Sequence, residues 1–178
     1  KCTSLTSITI PENVTSINWN ILSYCNALSS IIVSEQNTTY DSRDNCNAII
    51  ETATNTIIAT CTQSTIPTSA TSIGACAFYG RADLTHMTIP DQITRIGRAA
   101  FRDCKSLESV VAGDHLKIID TDAFMSCTAM NSFSVGEGID SIKDNAFLDC
   151  GKLEKFECKA TIPPITKKWS FEISPTAI

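Results

Sequence analysis

Ile73-Gly-Ala-Cys-Ala-Phe78, Ile96-Gly-Arg-Ala-Ala-Phe101, Ile119-Asp-Thr-Asp-Ala-Phe124 and Ile142-Lys-Asp-Asn-Ala-Phe147 are four versions of one hexapeptide, each 23 residues after the last. Three positions beyond the last three phenylalanines stand Cys104, Cys127 and Cys150. Agreement in several columns at once marks an internal repeat, which outranks any local secondary-structure signal. The unit reads C-x-x-L-x-x-φ-x-φ-P-x-x-φ-x-x-I-x-x-x-A-F-x-x, with φ apolar.

Outward from those hexapeptides the columns fill in both directions. Cys2, Leu5, Ile8, Ile10, Pro11, Val14 and Ile17 begin the first unit, which ends on Ile21 and Leu22, with Leu22 in the place of Phe. Leu84, Met87, Ile89, Pro90, Ile93, Ile96, Ala100 and Phe101 fill the unit from Arg81, where Arg replaces Cys. Later units carry Leu107, Val110, Ala112, Leu116 and Ile119, then Met130, Phe133, Val135, Ile139 and Ile142. From Cys150 the pattern runs Leu153, Phe156, Cys158, Ile162, Ile165 and then decays. A single 23-residue unit cannot bury its own apolar set, whereas stacked units turn each column into a ladder. The alternation L-x-x-φ-x-φ predicts a short strand ended by Pro or Gly, and φ-x-x-I a second short strand. The A-F-x-x-C segment predicts a helical turn with Phe pointing inward. The expected fold is an α/β repeat: a solenoid of 23-residue units with parallel strands about 4.8 Å apart, short helical turns and an inserted β-hairpin.

The hairpin is read from the one break in the period. Leu22 and Phe78 are 56 residues apart, one period plus 33. Within the gap, Cys46-Asn-Ala-Ile-Ile-Glu51 and Thr56-Ile-Ile-Ala-Thr-Cys61 read as two strands, and Thr52 to Asn55 as the turn, where Asn tolerates the left-handed backbone. Pairing Glu51 with Thr56 sets Cys46 opposite Cys61, so a disulfide there is geometrically open, a pair of free thiols being the alternative. The chain is thus expected to be one domain over 1–178, with the hairpin at about 34–63 and a C-terminal cap at about 163–178, where Trp169 and Phe171 would cover the last coil. Lys1-Cys2-Thr3-Ser4-Leu5 already lies inside the pattern without a cap, so further repeats are expected before it.

These columns resemble the BspA-like leucine-rich repeats, in particular Cys2-x-x-Leu5-x-x-Ile8-x-Ile10-Pro11-x-x-Val14-Thr15-x-Ile17 and the Ile-Gly-x-x-Ala-Phe of Ile73 to Phe78 and Ile96 to Phe101. The stretch Tyr40-Asp-Ser-Arg-Asp-Asn-Cys46-Asn-Ala-Ile-Ile-Glu51 is similar to the version found in anaerobic gut bacteria. The resemblance implies a leucine-rich-repeat solenoid in a secreted or surface-attached protein of a host-associated microbe. Some relatives are implicated in adhesion, coaggregation or host signalling. It implies no catalytic residues and no cofactor.

Composition agrees with a folded binding module. With 43% hydrophobic and 19% charged residues the chain is folded, not disordered. A net charge of −5 with 14 scattered basic residues, Lys167-Lys168 and Lys159 being the nearest to a cluster, argues against nucleic acid and anionic membrane as partners. No apolar run approaches a membrane span. The nine cysteines are odd in number, form no C-x-x-C pair, and five recur in one repeat phase as small buried apolar residues. His86 and His115 fall at different phases, no H-E-x-x-H, G-x-S-x-G, G-x-G-x-x-G or P-loop pattern exists, and ladder cysteines run parallel without converging on a metal. Asp41, Asp44 and Asn45 offer oxygen ligands for Ca²⁺, but no loop glycine or closing Glu completes a pattern. Asn13-Val-Thr15 and Asn37-Thr-Thr39 fit a glycosylation sequon that Ser/Thr-rich repeats produce by chance.

Between the buried strand columns lie Thr6, Ser7 and Thr9, then Ser29, Ser30 and Ile32, then Thr85, His86 and Thr88. They continue as Glu108, Ser109 and Val111, then Asn131, Ser132 and Ser134, and finally Glu154, Lys155 and Glu157. No Phe, Tyr or Trp stands among them, which suits weak, repeated contacts better than a strong anchor. The expected binding residues are therefore His86, Glu108, Glu154 and Lys155 on the strands, with Tyr40, Arg43 and Asp44 at the hairpin. They point to a monomeric, non-catalytic module for a protein or glycoprotein; the alternative is a rigid spacer that projects another domain.

Overall fold

The computed structural model describes residues 1–167 and 169–171. Each coil contributes a four-residue strand from the L-x-x-φ-x-φ segment. These are β1 (Ser7–Ile10), β2 (Ser30–Val33), β7 (His86–Ile89), β9 (Ser109–Ala112), β11 (Ser132–Val135) and β13 (Lys155–Cys158). All pair in parallel and in a register of one repeat, such as Ser7 with Ser30 and Met87 with Val110. From the second coil on, the second strand is two residues long: β6 (Ser72–Ile73), β8 (Arg95–Ile96), β10 (Ile118–Ile119), β12 (Ser141–Ile142) and β14 (Ile165–Thr166). The first strand forms in every unit, and the second in all but the first, where residues 14–17 form no strand.

The expected helical turn does not form. Every A-F-x-x-C segment is a chain of tight turns in which alternate amides bond within the coil and to the next coil. Ala77 N–H reaches Gly74 C=O at 3.4 Å and Tyr79 N–H reaches Cys76 C=O at 3.1 Å, while Phe78 N–H reaches Ala100 C=O at 2.8 Å and Gly80 N–H reaches Arg102 C=O at 2.8 Å. Two positions per coil have positive φ, one running through Asn20, Cys76, Ala99, Asp122 and Asn145, the other through Tyr24, Gly80, Asp103, Ser126 and Asp149. Left-handed residues at a spacing of four interrupt any helix. Among the described residues the only helical element is the 3-10 turn Arg43–Asn45.

Inside the coils the columns stack as expected. Phe78, Phe101, Phe124, Phe147 and Phe171 form a ladder of near-parallel rings with centroids 4.7 to 5.4 Å apart. Phe133 and Phe156 stack beside it and meet it edge-on. The C-terminal register differs from the sequence reading. Ile162 and Ile165 are exposed, and Thr166 takes the column position opposite Ile142. The cause lies in the backbone: the unshifted register would ask Pro163 and Pro164 to donate to Asp140 C=O, and proline has no N–H. A slip of one residue gives that bond to Ile165 N–H at 2.9 Å, and it carries Ser170 and Phe171 into the Ala and Phe columns. The rest of the expected cap, Lys168 and 172–178, lies outside the described residues.

The insertion is a structural wall. β4 (Ala48–Glu51) and β5 (Thr56–Thr60) form the expected antiparallel hairpin, with Asn55 left-handed in its turn, and β3 (Tyr40–Asp41) flanks β4. β5 then pairs in parallel with β6, so the hairpin extends the short-strand sheet in the order β14-β12-β10-β8-β6-β5-β4-β3. A bulge between Ile49 and Ile50 sets Ile50 opposite Ile57 but Ile49 opposite Ala59. One extra residue reverses the facing of everything beyond it. Cys46, Ala48, Ile50 and Ile57 consequently face the large C-terminal core, whereas Ile49, Ala59 and Cys61 face a smaller N-terminal one. The same bulge puts Cys46 and Cys61 on different faces, and both are free thiols. Cys61 Sγ instead donates to Asn47 C=O at 3.4 Å.

Candidate functional site

The seven residues expected to bind fall into two groups. His86, Glu108, Glu154 and Lys155 lie on or beside the four-stranded sheet β7-β9-β11-β13 and all are exposed. They share one face because the strands are in register and equivalent positions are one repeat apart. His86 Nδ1 lies 2.8 Å from Ser109 Oγ on the neighbouring coil, and Lys155 Nζ lies 3.2 Å from Glu157 Oε2 on its own strand.

The hairpin group serves mostly to fix the fold. Tyr40 is buried, and its hydroxyl accepts the Ile17 N–H at 2.9 Å. Arg43 forks onto the Asp41 carboxylate and donates to Asn55 Oδ1 at 2.8 Å. Burial raises the Asp41 carboxyl, but hydrogen bonds from Arg43 and Thr52 outweigh it and hold the group below its ordinary range. That carboxylate is engaged, which removes it from the Ca²⁺ set considered above. Asp44 and Asn45 are both exposed and both left-handed, at φ of 56° and 52°. Asn37, the second sequon, is also sealed: its amide donates to Pro11 C=O at 2.7 Å and Val14 C=O at 3.0 Å.

The cysteine ladder is chemically quiet. Cys104, Cys127 and Cys150 each donate S–H to the carbonyl of the preceding coil's Phe, at 3.0, 3.1 and 3.2 Å. Burial pushes the Cys104 and Cys150 thiols up to about 12 and the Cys127 thiol well above its ordinary value. A thiol held protonated is no nucleophile. Where Arg81 replaces the column cysteine, its guanidinium reaches Thr60 Oγ1 on the hairpin and is clamped by Asp83 at 2.8 and 2.7 Å.

A third feature escaped the sequence reading. On the turn side of the coils a cleft of about 340 Å³ is lined by three repeat columns: Trp19, Ala75 and Arg98; Asn20, Cys76, Ala99 and Asp122; Tyr79 and Arg102. Trp19 and Tyr79 flank a floor of small side chains, and the far end carries two guanidiniums around one buried carboxylate. Asp122 Oδ2 lies 3.6 Å from Arg102 Nη1 and 4.0 Å from Arg98 Nε. Trp19 is 65% exposed and the Arg98 side chain 68% exposed. The missed signal was the turn columns, which become readable only after the 56-residue offset aligns Trp19 with Ala75.

Registered parallel strands on 23-residue coils, closed by a buried Phe ladder, define a solenoid of the leucine-rich-repeat class. The pattern of the BspA-type leucine-rich-repeat region matches six copies over residues 1–61 and 56–176, and the chain belongs to that family. Among solved structures, a leucine-rich-repeat protein of Eubacterium ventriosum shares 21% identity and a TM-score of 0.64, over 86% of this chain and 49% of its own. A leucine-rich cell surface protein of Faecalibacterium prausnitzii shares 26% identity and a TM-score of 0.60, over 87% and 48%. The pneumococcal vaccine antigen PcpA is 19% identical with a TM-score of 0.69, over 97% and 49%. This chain therefore spans about half the length of each. No curated protein matches its sequence.

Proposed function

We propose that this chain is a non-catalytic interaction module displayed outside the cell, which binds host or microbial proteins or glycoproteins through the four-stranded sheet. The observation that carries this reading is the arrangement of His86, Glu108, Glu154 and Lys155 on one rigid polar face at repeat spacing. Such a face supplies many weak contacts in parallel, and their sum gives avidity. The surface location is supported by the family and by the Faecalibacterium protein, described as a cell surface protein. No helix among the described residues is long and apolar enough to cross a membrane.

The test is binding of the monomeric domain to mucus and matrix glycoproteins, intact and deglycosylated. It is set beside a variant carrying His86→Ala, Glu108→Ala, Glu154→Ala and Lys155→Ala. Saturable binding weakened tenfold or more in the variant is the expected result. Deleting the hairpin is no control, since its strands are buried in two cores. An absence of binding at high micromolar concentration would favour the second reading, a rigid spacer, for which the turn-to-turn hydrogen bonds from Cys76 through Phe147 are the supporting observation.

A further inference from the structure

The cleft on the turn side is on a different side of the coil from the sheet and stands or falls independently of it. We infer that it is a subsite for a carboxylate-bearing pyranose, the ring type of a uronic or sialic acid residue. Three observations converge.

The first is shape. Trp19 and Arg98 occupy the same repeat column on the two sides of the hairpin boundary. The intervening coil contributes only Ala75 there, so the floor drops between an indole and a guanidinium. A volume of about 340 Å³ lies at the small end of ligand clefts and suits one or two sugar residues.

The second is the inventory of anchors. An indole left 65% exposed beside Tyr79 offers the flat apolar surface that a pyranose face stacks on. Arg98 Nε is 4.0 Å from Asp122, beyond hydrogen-bond length, so its fork remains open to a planar carboxylate. Arg102 is held within the fold: its Nε is buried and stands 3.9 Å from Asp103, a carboxylate that also accepts the Tyr24 hydroxyl, and its Nη1 lies 3.6 Å from Asp122. With Asp122 and Asp103 both facing Arg102, Arg98 is the guanidinium left open to a ligand in the cleft.

The third distinguishes a sugar from an acidic peptide. The Cys76 and Ala99 amides at the floor are already bonded to Arg98 C=O and Thr121 C=O of the next coil, both at 3.0 Å. Those two floor amides are not open to a peptide backbone. Ring stacking on Trp19 and side-chain hydrogen bonds are the contacts the cleft offers most fully, which is how a pyranose is held.

The experiment titrates the intact domain with methyl glucuronide and with methyl sialoside, following ring-proton saturation transfer and tryptophan fluorescence. Controls are the glucuronide methyl ester, methyl glucoside and a glutamate-rich tetrapeptide. Saturable binding with a Kd of about 1 mM to at least one acidic sugar is expected, the range for one stack and one charged fork. Whichever of the two acidic sugars binds more tightly identifies the source. The ester and glucoside should bind at least tenfold more weakly, and Trp19→Ala and Arg98→Ala should each cost at least fivefold. Arg95→Ala, whose partner is Asp120 outside the cleft, should leave binding unchanged. Should Trp19→Ala perturb the first coil, Ala75→Gln fills the floor without touching either anchor and should also abolish binding. The inference is overturned if no acidic sugar saturates, if the glucoside or the tetrapeptide binds equally well, or if Arg98→Ala has no effect.

Discussion

Gly80 shows how much one residue can carry in a repeat protein. Its φ is 71°, and a β-carbon added there would lie 2.6 Å from the ring of Tyr24 in the coil before it. Left-handed backbone costs an L-residue about 1–2 kcal/mol on its own, so Gly80→Ala should cost more than about 2 kcal/mol in chemical denaturation. Gly151, with nothing within 4 Å of the same position, is the control: Gly151→Ala should change stability by less than about 1 kcal/mol, in the stabilising direction. The two parts of the Gly80 penalty separate in a double-mutant cycle. Adding Gly80→Ala to Tyr24→Ala should cost only the backbone part, because the clash is gone. Equal costs in both backgrounds would show that Tyr24 does not press on this position. Elsewhere the left-handed columns are filled by Asp, Asn and Ser, with Tyr24, Cys76 and Ala99 as exceptions, and the last two line the floor of the cleft. Small side chains there leave space that the longer ones fill in later coils.

At the scale of elements, the cysteine ladder makes a pH prediction with a definite sign. Cys104, Cys127 and Cys150 have folded-state values above the ordinary thiol value of 9.0, because burial disfavours the thiolate. Their contribution is complete below pH 9 and is lost as the pH rises from about 9 toward 12, since only the unfolded chain then gives up the protons. Each thiol should steepen the loss by up to about 1.4 kcal/mol per pH unit, and Cys127→Ala should flatten the curve as well as lowering it. A denaturation midpoint constant from pH 8.5 to 10.5 would contradict the assignment. Among these elements the strands and ladders were legible in the sequence because apolar columns report burial directly. Asn55 was legible too, since a hairpin turn requires its conformation. The turns were not, because A-F-x-x-C satisfies an inward Phe equally well as helix or as turn. Nor was the hairpin's bulge: Ile57, Ile58 and Ala59 are all apolar, and nothing in composition says which one is surplus. Pro163 and Pro164 did carry the C-terminal slip, but only the position of Asp140 C=O shows which amide they fail to supply. The cleft was hidden for a third reason, being assembled from one residue per coil in columns that bury nothing.

At the scale of the whole molecule, the hairpin divides the solenoid into two cores of unequal size. A small one is formed by Ile10, Leu28, Ile31 and their neighbours, a large one by the Phe, Ile and Cys ladders. Repeat arrays gain stability from interfaces between neighbours, and the direct interfaces across this boundary are few. The long-strand sheet is interrupted, since β2 pairs with β1 and β7 with β9 but not with each other. The free side of β2 is closed by an amide in place of a strand: Asn47 Oδ1 accepts Ile31 N–H at 2.6 Å and Nδ2 donates to Ser29 C=O at 2.7 Å. Continuity is kept on the turn side, where Tyr24 N–H bonds Tyr79 C=O at 3.4 Å, its ring meets Tyr79 edge-on at 5.3 Å, and its hydroxyl reaches Asp103 at 2.8 Å. The cleft crosses the same boundary, with Trp19 on the N-terminal unit and Arg98 on the other. Native-state hydrogen exchange should therefore show amides of β1 and β2 opening at a free energy several kcal/mol below those of β8, β10 and β11. Tyr24→Ala should widen that gap by weakening the N-terminal unit alone, and an acidic sugar bound in the cleft should narrow it by joining the two units. Uniform protection along the chain, or a Tyr24→Ala effect spread equally over both units, would show that the hairpin wall couples the cores into one cooperative unit.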